Sequence, residues 1–435
     1  MLQYPNIRYV VALVLILILL FTFRDSSWAP PGGFGRHSNT LSFQNSNNIQ
    51  ETHHEIFSVS TRDKKFFQID FGDQRAMNPN IIPHPIFNDT WIVVAQLHKR
   101  AEIPNSVWFV ELTCNAVFKK GVLTCLKPPS ILPIAVTEGD KCKDGLGHFG
   151  LSVGPHDARV FHGPKAPYAI YGSISQYTCF GQWIHDFRLL VDWGFETFER
   201  GKFRHATEIQ RPVPYGDVEK NYFLFWDKDD NMYAHYDTWP KRAFSKLEND
   251  GSVGPNLASA APTDDRCIEK YMPKVAAPPA KQSIHQATNS LSITLCKRAD
   301  PSCTPNDTNT FLFTMFQHKT FESLHSVYEP YVMVFKQQGP FEIHGISSKP
   351  IWIHGRGLAG QGQKPEFLSD ADFQHWDQTE MLYITSISWK SQGMRYHGYI
   401  DDILFLGFGI EDRDTGGIDV LAGDLLGNLG LCNTP

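Results

Sequence analysis

The sequence predicts an all-β protein, a five-bladed β-propeller placed behind one N-terminal transmembrane helix and a flexible stem. Three observations carry this expectation. Aromatic residues make up 13% of the 435 residues, alongside 33 Gly and 28 Pro. Aromatics favour strands and Gly and Pro punctuate turns. Short apolar runs bounded by Gly, Pro, Asn or Asp then recur from about residue 61 to the end, and few windows show a helical period. Finally, that stretch is too long for one sandwich but suits five blades of roughly 75 residues each.

In chain order, the first element is the run Tyr9–Phe23, YVVALVLILILLFTF, with residues 1–8 ahead of it. As a helix it would span roughly 22 Å, slightly short of a full bilayer core but tolerated by a thin early-secretory membrane. A cleaved signal peptide is the competing reading, and Pro30 and Pro31 just after the best cleavage-like triplet argue against it. The expected topology is a short cytoplasmic tail, an anchor at 9–23 and a body in the Golgi or endoplasmic reticulum lumen. Residues 24–60, rich in Ser, Asn, Gln, Gly and Pro, read as a disordered stem.

From residue 61 onward, strands are expected in the apolar runs at 86–97, 106–112, 168–174, 188–193, 221–227, 231–237, 290–296, 310–316, 331–336, 350–355, 381–389 and 402–410. The Ala/Pro-rich stretch 259–281 reads as a surface loop. Eight cysteines all follow the anchor and none forms a CxxC pair. Local disulfides Cys114–Cys125 and Cys296–Cys303 fit an oxidising lumen. Asn88 and Asn306 open N-x-Thr glycosylation sequons.

The formal charge of −6 excludes a polybasic nucleic-acid binder. No HExxH or P-loop sequence is present, which removes the commonest zinc-protease and NTPase chemistries. Gly150–Gly154 matches G-x-S-x-G around Ser152, but no helix pattern follows, so a turn is expected rather than a nucleophile elbow. The D-x-D triplets at Asp227, Asp370 and Asp412 read as turns, and neither a metal nor a cofactor is expected.

The strand opening at His156-Asp157-Ala158-Arg159 has more to offer. If extended, it points Asp157 and Arg159 the same way, an acid beside an anion clamp. Lys220 and Asn221, the Tyr233–Pro240 hairpin with Asp237, and the Tyr396–Leu426 stretch with Asp402 add polar and aromatic side chains suited to a sugar.

These residues resemble the five-bladed propeller family of mannoside phosphorylases and β-1,2-mannosyltransferases. That family's E-D-P-R strand corresponds to His156-Asp157-Ala158-Arg159, and its Lys-Asn before an apolar strand to Lys220-Asn221. Its first-blade N-P motif corresponds to Asn78-Pro79-Asn80 and its closing turn to Leu406–Asp412. The ordered set spans about residues 66 to 426. The resemblance implies Asp157 as general acid/base, and Arg159 and Lys220 as clamps for phosphate, with Tyr396 and Asp157 meeting acceptor hydroxyls. His156 and Ala158 depart from the family's Glu and Pro. With the lumenal topology, the resemblance implies a glycosyltransferase moving mannosyl or related residues from a nucleotide-sugar or sugar-phosphate donor to a glycan. The alternatives are a non-catalytic glycan-binding propeller and a secreted glycoside hydrolase, for which Asp237, Asp401 or Asp402 would supply the second carboxylate.

Overall fold

A computed structural model describes residues 49–98, 102–103, 106–193, 201–322 and 324–432. The apolar run 9–23 and the stem up to residue 48 lie outside the described residues. Among those described, no helix is long and apolar enough to cross a membrane.

The described chain is all-β with a few short helices. Residues 49–56, expected in the stem, form a helical turn α1 (Ile49–Thr52) and a strand β1 (His54–Ile56). Apolar Ile49 and Ile56 are buried, so this segment belongs to the body. Strand β2 (Phe67–Asp70) follows, then an antiparallel group of β3 (Ala76–Pro83), β4 (Trp91–Leu97), β5 (Glu111–Lys119) and β6 (Val122–Cys125). A second antiparallel group holds β7 (His156–His162), β8 (Pro167–Ile174), β9 (Phe180–Asp186) and β10 (Thr207–Ile209). A third holds β11 (Phe223–Trp226), β12 (Met232–Asp237) and β13 (Ala243–Lys246).

After helix α2 (Asp264–Tyr271) and strand β14 (Gln282–Gln286), a fourth group runs β15 (Leu291–Thr294), β16 (Thr310–Glu322), β17 (His325–Lys336) and β18 (Ile343–Ser347). Strand β19 (Ile351–Ile353) pairs in parallel with β1. The last group is β20 (Leu382–Trp389), β21 (Ile403–Ile410) and β22 (Asp414–Leu421). Strand β2 joins the chain's two ends, pairing antiparallel with β22 through Phe67 and Gln68 and parallel with β6 through Ile69 and Asp70.

Aromatic and branched side chains cause these strands. β11 reads FLFW and all four side chains are buried, as are Phe313, Phe335 and Trp389 from other groups in the same core. Each such burial removes a large apolar surface from water, worth about 1.5–3 kcal/mol apiece.

Two further sequence expectations fail here. The run 188–193 is a 3₁₀ turn and loop, because Asp186 accepts the Arg188 backbone N–H and ends β9. The stretch 259–281 contains helix α2, whose Cys267 and Ile268 are buried. The composition reads as loop, but the i, i+1 apolar pair and a disulfide dock one helical face.

All eight cysteines are paired: Cys114–Cys125 and Cys296–Cys303 as expected, plus Cys142–Cys179 and Cys267–Cys432. Cys267–Cys432 closes 165 residues and Cys296–Cys303 only 7. In the chain-entropy picture the long closure contributes about 5 kcal/mol and the short one about 2 kcal/mol. Replacing Cys267 and Cys432 together by Ala should therefore lower the urea midpoint more than the same change at Cys296 and Cys303. Equal midpoints for the two double variants would contradict this ranking.

Candidate active site

The starts of β3 and β7 and the turn between β21 and β22 converge on a cavity of about 470 Å³. Met77, Asn78, Gln96, Phe109, Asp157 and Asp412 are among its walls. Several residues here adopt left-handed backbone: Asn78 (φ 58), Asp157 (φ 48), Glu411 (φ 51) and Asp412 (φ 48). Asn and Asp tolerate this region best among non-glycine residues, and such strain gathers where side chains must be aimed.

The aim is visible at Asp157. β7 breaks register against β8 between His156 and Arg159. The Asp157 backbone N–H donates to Gln96 Oε1 at 2.9 Å, and its carboxylate accepts from Asn78 Nδ2 at 2.7 Å. Asp157 thus stays exposed to the cavity while Arg159 turns inward. The regular extended strand that the expectation assumed is not found: the register breaks, leaving Asp157 exposed and Arg159 buried.

Arg159 is 6% exposed. Its guanidinium donates to Ala287 O at 3.0 Å, Asp157 O at 2.9 Å and the Tyr383 hydroxyl at 3.2 Å. So engaged, it braces the Asp157 backbone instead of clamping an anion.

Asn78 reaches Asp157 because β21 carries glycines. A Cβ on Gly409 would collide with Asn78 Oδ1, and one on Gly407 with the Pro79 carbonyl. The Asn78-Pro79-Asn80 segment and the Leu406–Asp412 turn, distant in sequence, are in contact for this reason.

Asp412 is the second carboxyl of the cavity. It is open to solvent at the mouth, yet desolvation by the surrounding walls, the charge of Asp157 and that of Glu411 push its pKa up to about 6. Lys319 and His325 act in the opposite direction. Lys319 sits over the Tyr328 ring, 5.6 Å from its centroid, and Tyr328 packs against Tyr383 at 4.8 Å. Burial and the charge of Lys220 lower the Lys319 pKa, while Asp412 raises it. Lys220 is exposed and acts on Lys319 and His285, so it borders this region. Asn221 adjoins it in left-handed backbone (φ 63), its carbonyl accepting from Gln286 Nε2.

Beneath Asp157, Glu111 is fully buried and accepts the Ala158 N–H at 3.0 Å, leaving Oε2 without a partner. Burial pushes its carboxyl up to about 8, against the Ala158 hydrogen bond and with help from the charge of Asp157. The folded pKa lies above the ordinary value of 4.5, so the folded protein holds a proton that the unfolded chain has released. Stability is full below 4.5, falls as pH rises, and has lost the whole contribution above about 8. That contribution is on the order of a few kcal/mol. Glu111→Gln should flatten the decline of stability between pH 4.5 and 8 measured by urea titration; an unchanged slope would exclude a neutral Glu111.

The other expected site residues lie elsewhere. Asp237 forms an ion pair with Arg211 at 2.8 Å, beside Glu219. Tyr396 is buried, its hydroxyl bonded to Ser290 Oγ at 2.8 Å, which makes it a core strut instead of an acceptor contact. Asp402 holds Arg298 at 2.6 Å and the Tyr399 N–H at 2.7 Å, and Asp401 caps the Arg298 N–H. None of these lines the Asp157 cavity. Asn88 and Asn306 are exposed in turns, following β3 and preceding β16. They adjoin the strand ends remote from Asn78 and Lys319. Ser152 lies in a two-residue strand with no helix after it. The Asp227 carboxylate accepts from Asp229, Asn231 and Tyr233 within its own turn. Among the described residues, no group of three or more His, Cys, Asp or Glu is placed to hold a metal ion.

No family model matches the chain, and no curated protein does. Among solved structures, a β-1,2-mannobiose phosphorylase from Listeria innocua is 10% identical, with 86% of this chain and 96% of that one covered and a TM-score of 0.42. An α-L-arabinanase from Cellvibrio cellulosa is 12% identical, with 82% and 99% covered and a TM-score of 0.35. A putative exo-β-1,3-galactanase from Bifidobacterium bifidum is 10% identical, with 82% and 92% covered and a TM-score of 0.35. None of these likenesses is close enough to carry an argument about this chain.

Proposed function

We propose that the chain is a carbohydrate-active five-bladed β-propeller that cleaves a glycosidic bond, with Asp412 as proton donor and Asp157 as its partner base or nucleophile. The observation that carries this reading is the pair itself: two carboxyls on one cavity wall, one of them pushed up to about 6 partly by the charge of the other. Glycoside cleavage needs one carboxyl that keeps its proton and one that does not. The roles differ from the sequence expectation, which gave the acid to Asp157. Five antiparallel groups, the last joined to the first through β2, support counting five blades.

Glycosyl transfer from a phosphate-bearing donor is the second reading. Lys220 and Lys319, bordering the pair, favour it; the enclosure of Arg159 weighs against it. A panel of aryl and alkyl glycosides, assayed with and without inorganic phosphate, separates the two. Hydrolysis releases free sugar in either condition, whereas a phosphate-using enzyme forms sugar 1-phosphate only when phosphate is present. Glycoside binding without turnover in both would defeat hydrolysis and phosphorolysis and leave a glycan-binding module or a transferase that needs a nucleotide-sugar donor. Four disulfides support residence in an oxidising lumen. Anchoring through 9–23 is proposed with it and is tested by retention in carbonate-washed membranes.

A further inference from the structure

Behind the Asp412 turn lies an ion pair that the chemistry above does not use. His325 opens β17 and its side chain is 3% exposed, as is that of Glu411. His325 Nε2 donates to the two Glu411 carboxylate oxygens at 3.2 and 3.1 Å. Its Nδ1 faces Gln378 Oε1 at 2.7 Å. Both ring nitrogens therefore meet acceptors, the arrangement of an imidazolium. The Trp376 ring closes the site edge-on at 5.6 Å. Glu411 also accepts the Met381 N–H at 2.7 Å, which ties the β21–β22 turn to the start of β20. Glu411 and Asp412 are consecutive left-handed residues, a conformation the turn keeps only while its surroundings hold it.

We propose that His325, acting through Glu411, is a positioning residue that fixes the Asp412 turn and sets the charge beside the proton donor. This rests on the reading of Asp412 as that donor. The groups facing His325 are Glu411 and Gln378, which favour its cation, and Arg356, which opposes it. Burial lowers its pKa, but Glu411 and Gln378 outweigh burial and Arg356 and leave it above the ordinary histidine value. Asp412 faces Asp157 and Glu411, which favour its protonated form, and Lys319 and His325, which oppose it.

The pair can be broken from either side with opposite consequences. His325→Gln removes a cation and leaves Glu411 uncompensated, so the Asp412 carboxyl should hold its proton to higher pH. Glu411→Gln removes an anion next to Asp412, so the proton should leave at lower pH. A merely structural role would loosen the turn in both variants and move Asp412 the same way or not at all.

The test is carried out on the full chain with ¹³C-labelled aspartate, the Asp412 carboxyl resonance being assigned by its loss in Asp412→Asn. The midpoint should rise by about 0.5 pH or more in His325→Gln and fall by a smaller amount in Glu411→Gln, where burial also drives the proton off His325 and partly offsets the lost anion. The basic limb of the pH–rate profile should move with it. Midpoints that shift in the same direction, or stay still, in variants that melt cooperatively would overturn the proposal. Should His325→Gln fail to fold, the downward shift in Glu411→Gln decides alone. If the resonance shifts oppositely as expected while Asp412→Asn retains full activity, the coupling stands and the catalytic reading of Asp412 falls instead.

Discussion

Asp412→Asn is expected to reduce cleavage of alkyl glycosides by about 10²–10⁴-fold while sparing substrates with a good leaving group. An asparagine keeps the shape of the side chain and cannot give a proton. An alkoxide leaving group needs that proton; a nitrophenolate does not. Asp157→Asn should lose activity on both substrate types, because the base or nucleophile is needed whatever departs. In the wild type, the activity should fall as pH rises past about 6, where Asp412 surrenders its proton. The sign follows from the raised pKa: the competent form is the protonated one, populated at low pH. Similar losses for the two variants on both substrates would remove the division of roles, and no loss in either would remove the site.

The second large effect concerns stability. Arg242 and Asp264 form an ion pair at 2.5 Å with side chains 1% and 5% exposed. Arg242 also donates to Phe341 O at 2.8 Å and to His235 Nε2 at 3.2 Å, and it lies against the rings of Phe244 and Phe335. Asp264 Oδ1 accepts the Ile343 N–H at 2.7 Å, so the pair pins the first turn of α2 to β18. Asp264→Ala leaves a buried guanidinium with one carbonyl and the neutral His235 ring nitrogen as acceptors and no counter-charge. The expected destabilisation is about 3–5 kcal/mol, read as a lower urea midpoint with an unchanged slope. Removing both charges as Arg242→Leu with Asp264→Leu should cost less than Asp264→Ala alone, since no orphaned ion remains. A double variant worse than the single would show that the stacking of Arg242 on the two rings, not its charge, dominates.

Much of this was visible in the sequence where the signal was local. Strand character followed from aromatic runs such as FLFW, and two of the four disulfides followed from cysteines flanking short turns. Asp157 stood out because His156-Asp157-Ala158-Arg159 is a motif-like tetrad. What escaped was whatever depends on a partner far along the chain. Asp412 read as one half of a D-x-D turn, since nothing local says that Asp157 faces it. Lys319 and His325 sit near the tip of the β16–β17 hairpin, where no motif marks them. The reverse error came from polar residues that look available. Tyr396 and Arg159 have polar ends suited to a ligand, but burial commits those ends to Ser290 and to Ala287. Sequence spacing also could not reveal that a register shift and a left-handed Asp157 would leave Asp157 exposed and Arg159 buried.

The seam at β2 bears on how the protein is made. Phe67 and Gln68 find their β22 partners, Gly417 and Gly416, only after nearly the whole chain has left the ribosome. At synthesis rates of 5–20 residues per second the wait is roughly 20–70 s. Throughout it, one edge of β2 can be matched by any passing strand, and the last group cannot be joined to the first. Mutations that weaken this seam should reduce yield from cells more than they reduce the stability of the molecules that finish.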